Sequence, residues 1–155
     1  MVRVKNKKKI KLIVFNNNLI SKKYISWLND KNLMQYSDRR HSSHNKKSCK
    51  NYLKSFKKTD NKFFAIIDKK SKEHVGNITA IIDRNNSSAD IGILVGKSNQ
   101  GYGIAAWEEM MKYLFSKNIR KVTGGAMKNN TAMVKIFKKS KMKFEYIKKK
   151  QYLYK

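Results

Sequence analysis

Three short apolar segments, separated only by brief polar breaks, restrict this chain more than any other feature of it. Lys62–Asp68, Val75–Asp83 and Asp90–Val95 are rich in isoleucine, valine and phenylalanine, and each has the length of a strand. The breaks between them, Asp68–Glu73 and Arg84–Ser88, are polar and of hairpin length, so the three segments predict an antiparallel meander.

Around this meander the pattern alternates between strand and helix. Lys9–Phe15 reads as an opening strand. Ser21–Asn29 reads as a helix that Ser21 can cap, with Tyr24, Ile25 and Leu28 on one face. A short second helix is expected over Lys31–Tyr36, and a third over 45–57, where Tyr52, Leu53 and Phe56 have helical spacing. After the meander, Ile104, Trp107, Met111 and Leu114 mark a helix to about Ser116, with Trp107 facing the core. Ile119–Thr123 follows as a strand, Asn130–Ser140 as a helix, and Met142–Ile147 and Gln151–Tyr154 as closing strands. The expectation is an α/β (α+β) fold: a mixed, mostly antiparallel sheet of about seven strands flanked by helices, in one domain over residues 1–155.

The last meander strand ends in Gly96-Lys97-Ser98-Asn99 and runs through Gln100-Gly101-Tyr102-Gly103-Ile104-Ala105 into the next helix. The first backbone N–H groups of such a helix lack intrahelical partners and lie at the positive end of its dipole. Glycines there let a phosphate approach the backbone closely. Gly92, inside the preceding strand, suggests a bulge or the close approach of a ligand. The dinucleotide fingerprint does not apply, because the glycine spacing is wrong and the preceding strands are antiparallel. Nor does the loop end in the glycine-lysine-serine/threonine of a phosphate-loop NTPase.

Charge asks for a separate reading. The net charge is +27, yet only five of the 37 basic residues are arginine, the side chain that reads bases by bidentate contact. The lysines are scattered through every segment and proline is absent, as a biased coding composition would produce. A specific nucleic-acid partner is therefore not expected; a non-specific basic binder is kept as the alternative. No apolar run approaches the ~20 residues of a membrane helix, and no secretory signal pattern is seen. Cys49 is the single cysteine, which fits a cytoplasmic setting.

Gln100-x-x-Gly103-x-Ala105 resembles the coenzyme-A signature of the GNAT superfamily of N-acetyltransferases. Asn130, followed by Lys139 and Met142, looks like that family's second motif, and Ser26-Trp27-Leu28-Asn29-Asp30 resembles the helix of a branch with ribosomal-protein-alanine and amino-sugar acetyltransferases. The resemblance covers roughly residues 10–147. It implies acetyl-CoA as cosubstrate, held by the backbone of Ile93 and Val95, the loop Gln100, Gly101, Tyr102, Gly103, Ile104 and Ala105, and Asn130. It also implies a small-molecule primary amine as partner and a monomer or homodimer. Two positions depart from the family pattern. Lys141 stands where glycine is frequent, and Phe137 stands where many members have a tyrosine general acid.

Amine acetylation needs a base for the amine and donors for the oxyanion. Asp90, at the mouth of the glycine-bearing strand, is either that base or a turn-end carboxylate facing solvent. Glu108 is expected to pair with Lys112 across a helix turn. Arg39, Arg40, His41 and His44 form either an ordinary surface loop or the substrate-binding site for an anionic acceptor such as a nucleotide-linked amino sugar. A peptide N-terminus is the alternative acceptor, and an inactive acyl-CoA-binding protein the alternative role. His41, His44 and Cys49 lack a fourth ligand at zinc-like spacing, so no metal is expected.

Overall fold

A computed structural model describes residues 9–98 and 100–152. Five strands form one sheet in chain order: β1 (Ile10–Val14), β2 (Lys62–Asp68), β3 (His74–Asp83), β4 (Ser88–Val95) and β5 (Lys121–Thr123). The first four are antiparallel to their neighbours, and β5 runs parallel to β4. The expected meander is thus β2–β4.

Strand alternation sorts the core into two layers. Phe64 and Ile66 of β2, Ile78 and Ala80 of β3, and Ala89 and Ile91 of β4 are buried beneath α3 (Tyr102–Ser116). That helix contributes Tyr102, Ala106, Met110 and Leu114 at four-residue spacing, together with the fully buried Trp107. The intervening residues Phe63, Ala65 and Ile67 face α1 (Lys22–Asn29) and α2 (Lys46–Ser55), meeting Tyr24, Trp27, Leu28 and Cys49. Being covered on both faces, β2 is apolar from Phe63 to Ile67 between its charged ends, which is why its limits were legible.

Local caps fix the helices. The Ser21 hydroxyl accepts from the Tyr24 amide at the start of α1, and Asn45 and Ser48 exchange hydrogen bonds in a capping box at α2. Asn130 caps α4 (Thr131–Lys139) through the Met133 amide.

Four expectations are corrected. Residues 31–36 form turns rather than a helix, because the Asp30 carboxylate takes the Asn32 and Leu33 amides in a local turn. Gly92 introduces no bulge: β3 and β4 pair in unbroken register from Gly76–Val95 to Asp83–Ser88, and the irregularity lies instead at Ile66/Ile67. Met142–Ile147 is not a strand. Only Met142 reaches the core, accepting from Trp107 Nε1 at 3.2 Å, while Phe144, Tyr146 and Ile147 stay exposed. Glu145 ties the segment to β5 only by its ion pair with Lys121. Residues 151–152 are likewise outside any strand, and Leu153 and Tyr154 lie outside the described residues. Among the described residues the sheet therefore has five strands where about seven were expected.

Candidate active site

The first functional clue is the way β4 and β5 part. They pair only at Ser88–Lys121, Ala89–Val122 and Asp90–Thr123. Beyond Asp90, β4 continues as Ile91–Val95, paired with β3 alone, and β5 gives way to Gly124 and Gly125. The opening belongs to a cleft of about 1030 Å³, at the top of the ~300–1,000 Å³ range of ligand pockets and large enough for two reactants.

At one end of the cleft stands the start of α3. Gly101 is its N-cap, with φ 73° and no side-chain cap, and a Cβ there would meet nothing within 4 Å. The N–H groups of Tyr102, Gly103 and Ile104 precede the first intrahelical bond, made by Ala105 to Gly101. This end of the helix is thus open, positively polarised and uncapped. The Tyr102 side chain points elsewhere: its hydroxyl donates to buried Asp68 at 2.8 Å. Asp68 also accepts the Lys70 and Ser71 amides. The Ser71 amide foremost, then the Tyr102 hydroxyl, hold its carboxyl down to about 2. The Lys9 ammonium lies over the Tyr102 ring and donates to the Gln100 carbonyl. The loop is therefore clamped to the β2–β3 turn while its amides stay free.

Two glycines have packing duties of their own. A Cβ on Gly96 would meet the Trp27 ring at 2.1 Å, so α1 can lie against the end of β4 only over a glycine. A Cβ on Gly103 would meet Ile136 Cδ1 of α4 at 2.9 Å. Of the expected cofactor contacts, Ile93, Val95, Gln100, Gly101, Tyr102, Gly103, Ile104 and Asn130 all line the cleft, whereas Ala105 does not. Capping α4 commits Asn130 Oδ1, which leaves its amide N–H groups to offer a ligand.

Asp90 sits where β4 and β5 separate. Its Oδ1 accepts from the Thr123 hydroxyl at 2.7 Å, it is exposed, and it lines the cleft.

A family model of the acetyltransferase (GNAT) domain matches residues 21–143. The chain belongs to the GNAT acetyltransferases. No curated protein sequence matches it. Among solved structures, a GNAT acetyltransferase from Bacillus anthracis is similar with TM-score 0.77 at 18% identity, over 89% of this chain and 82% of the other. Spermidine N-acetyltransferase from Vibrio cholerae, in complex with CoA and spermine, gives 0.74 at 15%, over 85% and 79%. An acetyltransferase from Salmonella typhimurium that modifies the N-terminal serine of ribosomal protein L7/L12 gives 0.72 at 16%, over 85% and 79%. At such identities the likeness speaks for the fold, and the acceptors of these proteins differ among themselves.

As a GNAT acetyltransferase the chain is an acetyl-CoA-dependent enzyme, and the remaining expected residues can be placed on that basis. The four candidates from the loop before α2 are not brought together. Arg39 lines the cleft, its guanidinium 4.1 Å from the centre of the Tyr52 ring. Burial pushes the Tyr24 hydroxyl beside it up to about 12, an effect that Arg39 opposes. Arg40 turns away, donating to the Ser37 carbonyl at 2.8 Å with Asp38 at 3.8 Å. His41 is exposed and outside the cleft lining. His44 is buried: its Nε2–H donates to the Arg39 carbonyl, and its backbone is clamped by the Asn29 side chain. The local cause is the 3-10 turn Asp38–His41, capped by Ser37, which sends successive side chains in different directions.

Phe137 packs against Trp107, ring centres 5.4 Å apart, and against the place where a Gly124 Cβ would be; it does not line the cleft. Glu109, not Glu108, meets Lys112, at 3.6 Å. The sequence reading missed the cleft floor, Asn77 and Thr79 of β3, and much of its aromatic wall, Tyr24, Trp27, Tyr52 and Phe63. One signal was available: asparagine inside an otherwise apolar strand is out of place unless something uses it.

Proposed function

We propose that this enzyme moves the acetyl group of acetyl-CoA onto the primary amine of a small anionic acceptor, with Arg39 binding the anion. The observation that carries this reading is Arg39 itself. Its guanidinium is part-buried in the cleft and stacked on Tyr52, and no carboxylate lies within ion-pair distance of it among the described residues. A cation so placed favours phosphate or carboxylate, which it can take in a bidentate pair.

The open N-terminus of α3 suits the pyrophosphate of coenzyme A, bound through the free amides of Tyr102, Gly103 and Ile104. The unpartnered backbone of Ile93 and Val95 suits the amide-bearing arm that leads to the thioester, and Asn130 offers its side-chain amide from the opposite wall. With the thioester in the opening between β4 and β5, Asp90 is the carboxylate at hand. Thr123 holds one of its oxygens, which leaves the other to take a proton from the amine, directly or through one water. The amine nitrogen then bonds to the thioester carbon and the C–S bond breaks. The thiolate leaves without a proton from position 137, since Phe137 has none to give and faces the core.

The test is Arg39→Ala. The KM for a phosphorylated amine should rise ~10-fold or more, the worth of a lost charge-assisted hydrogen bond, with the KM for acetyl-CoA unmoved. An unchanged KM for the phosphorylated amine contradicts the anion-binding role.

A further inference from the structure

Asn77 is the polar anomaly of the core. It lies in β3 between Leu94 of β4 and Ala65 of β2, and it is 5% exposed. Its Oδ1 is engaged by His74 Nε2 at 3.2 Å. The His74 ring is held in turn by Trp27 and Phe15, at 5.2 and 6.0 Å between ring centres, and burial keeps it from charging. With Oδ1 turned to His74, Nδ2 is turned away from that ring. Nδ2 is the one buried side-chain nitrogen or oxygen among the described residues without a hydrogen-bond partner.

Leaving such a donor unpaired is unfavourable, and buried polar groups in folded proteins are nearly always satisfied. Its place says what could satisfy it. Asn77 lines the cleft, on the sheet face that also carries Thr79, Gly92 and Asp90. Thr79 faces Gly92, the next cross-strand pair along, and Asp90 is two residues further on β4. A donor and a base thus share one floor, separated by a residue with no side chain.

Building on the function proposed above, we infer that Asn77 is a positioning residue for the acceptor: its Nδ2 donates to a hydroxyl or carbonyl oxygen beside the reacting amine, so the enzyme selects amines that carry such an oxygen. A site built to donate a hydrogen bond discriminates strongly against substrates lacking the acceptor, because binding them leaves the donor buried and unpaired.

The experiment compares glucosamine, whose amine is flanked by hydroxyls, with cyclohexylamine, a ring amine that has none, by thiol release from acetyl-CoA. Wild type should favour glucosamine in kcat/KM by ~100-fold or more. In Asn77→Leu, of similar volume, that ratio should fall at least ~10-fold through the KM for glucosamine, with acetyl-CoA affinity unchanged by calorimetry. Asn77→Gln, which keeps the amide, should recover part of it. The thermal midpoint of Asn77→Leu should fall by no more than ~5 °C, the loss of the one bond to His74, since Nδ2 serves a ligand and not the fold. A ratio that survives in Asn77→Leu, a wild type that does not prefer glucosamine, or a midpoint lowered by more than ~5 °C overturns the inference. Failure of the anionic reading shows separately, as a preference for glucosamine over glucosamine 6-phosphate, and leaves the Asn77 comparison intact.

Discussion

Asp90 and Arg39 illustrate how far single residues can be read before a structure is known. Asp90 drew attention by its place at the start of a glycine-bearing strand, and it stands at the fork of β4 and β5, bonded to Thr123. If it is the base, Asp90→Asn should cut kcat/KM by ~10²-fold near neutral pH. The loss should shrink in alkaline solution, where free amine becomes abundant without help. A pH–rate profile decides the point; an equal loss at every pH would leave Asp90 the purely structural task of joining the two strands. Arg39 was legible only as one of four. Its neighbours Arg40, His41 and His44 looked equivalent in sequence; a capped 3-10 turn over Asp38–His41 parts the first two from Arg39, and the Asn29 side chain holds His44 beyond it. Asn77 and Tyr52 reach the cleft from distant elements, so no local pattern connects them to the loop at 100–105.

At the scale of elements, the strand–loop–helix unit was legible because everything it needs is contiguous: strand, glycines, helix. Its glycines nonetheless differ in kind. Gly103 lies against the end of the Ile136 side chain of α4, so Gly103→Asp would displace that side chain as well as repel phosphate. Gly101 faces open space at φ 73°. There an aspartate meets strain of ~1 kcal/mol, offset by the favourable placement of a negative charge at a helix N-terminus. Gly101→Asp should therefore stay folded by circular dichroism and lose acetyl-CoA binding by ~100-fold or more in calorimetry, a charge repulsion in place of several amide contacts. Retained affinity would move the pyrophosphate elsewhere. The closing strands were not legible because alternation of apolar and polar residues is only half of what a strand requires. β5 is only three residues long, and the segment after α4 forms no ladder on its open edge among the described residues.

The Tyr102–Asp68 clamp belongs to this scale too, since it ties the start of α3 to the β2–β3 turn. The folded-state pKa of Asp68 is about 2, below its ordinary value of ~3.9. Its contribution to stability is then fully present above ~4 and fades as the pH falls through the folded value. Denaturant unfolding of wild type and Asp68→Asn should differ most near neutral pH and converge in strong acid. A gap that persists at ~2 or below would assign the effect to something other than ionisation.

For the whole molecule, the charge of +27 remains the most conspicuous property, and it bears on encounter more than on fold. Lysines cover the outer faces of α2 and α4 as well as the strand ends. No helix among the described residues is long and apolar enough to cross a membrane. Such a surface draws anions toward the cleft and disfavours polycations, in the same direction as Arg39 within it, which has no carboxylate partner among the described residues. The acceptors of its structural relatives span a polyamine and a protein N-terminus, so the acceptor has to be measured. The most direct measurement is the rate of thiol release from acetyl-CoA with glucosamine 6-phosphate, UDP-glucosamine, spermine and a serine-initiated peptide, at one ionic strength. The account predicts the highest kcat/KM for a phosphate-bearing amine. Spermine or the peptide as the best acceptor would contradict it.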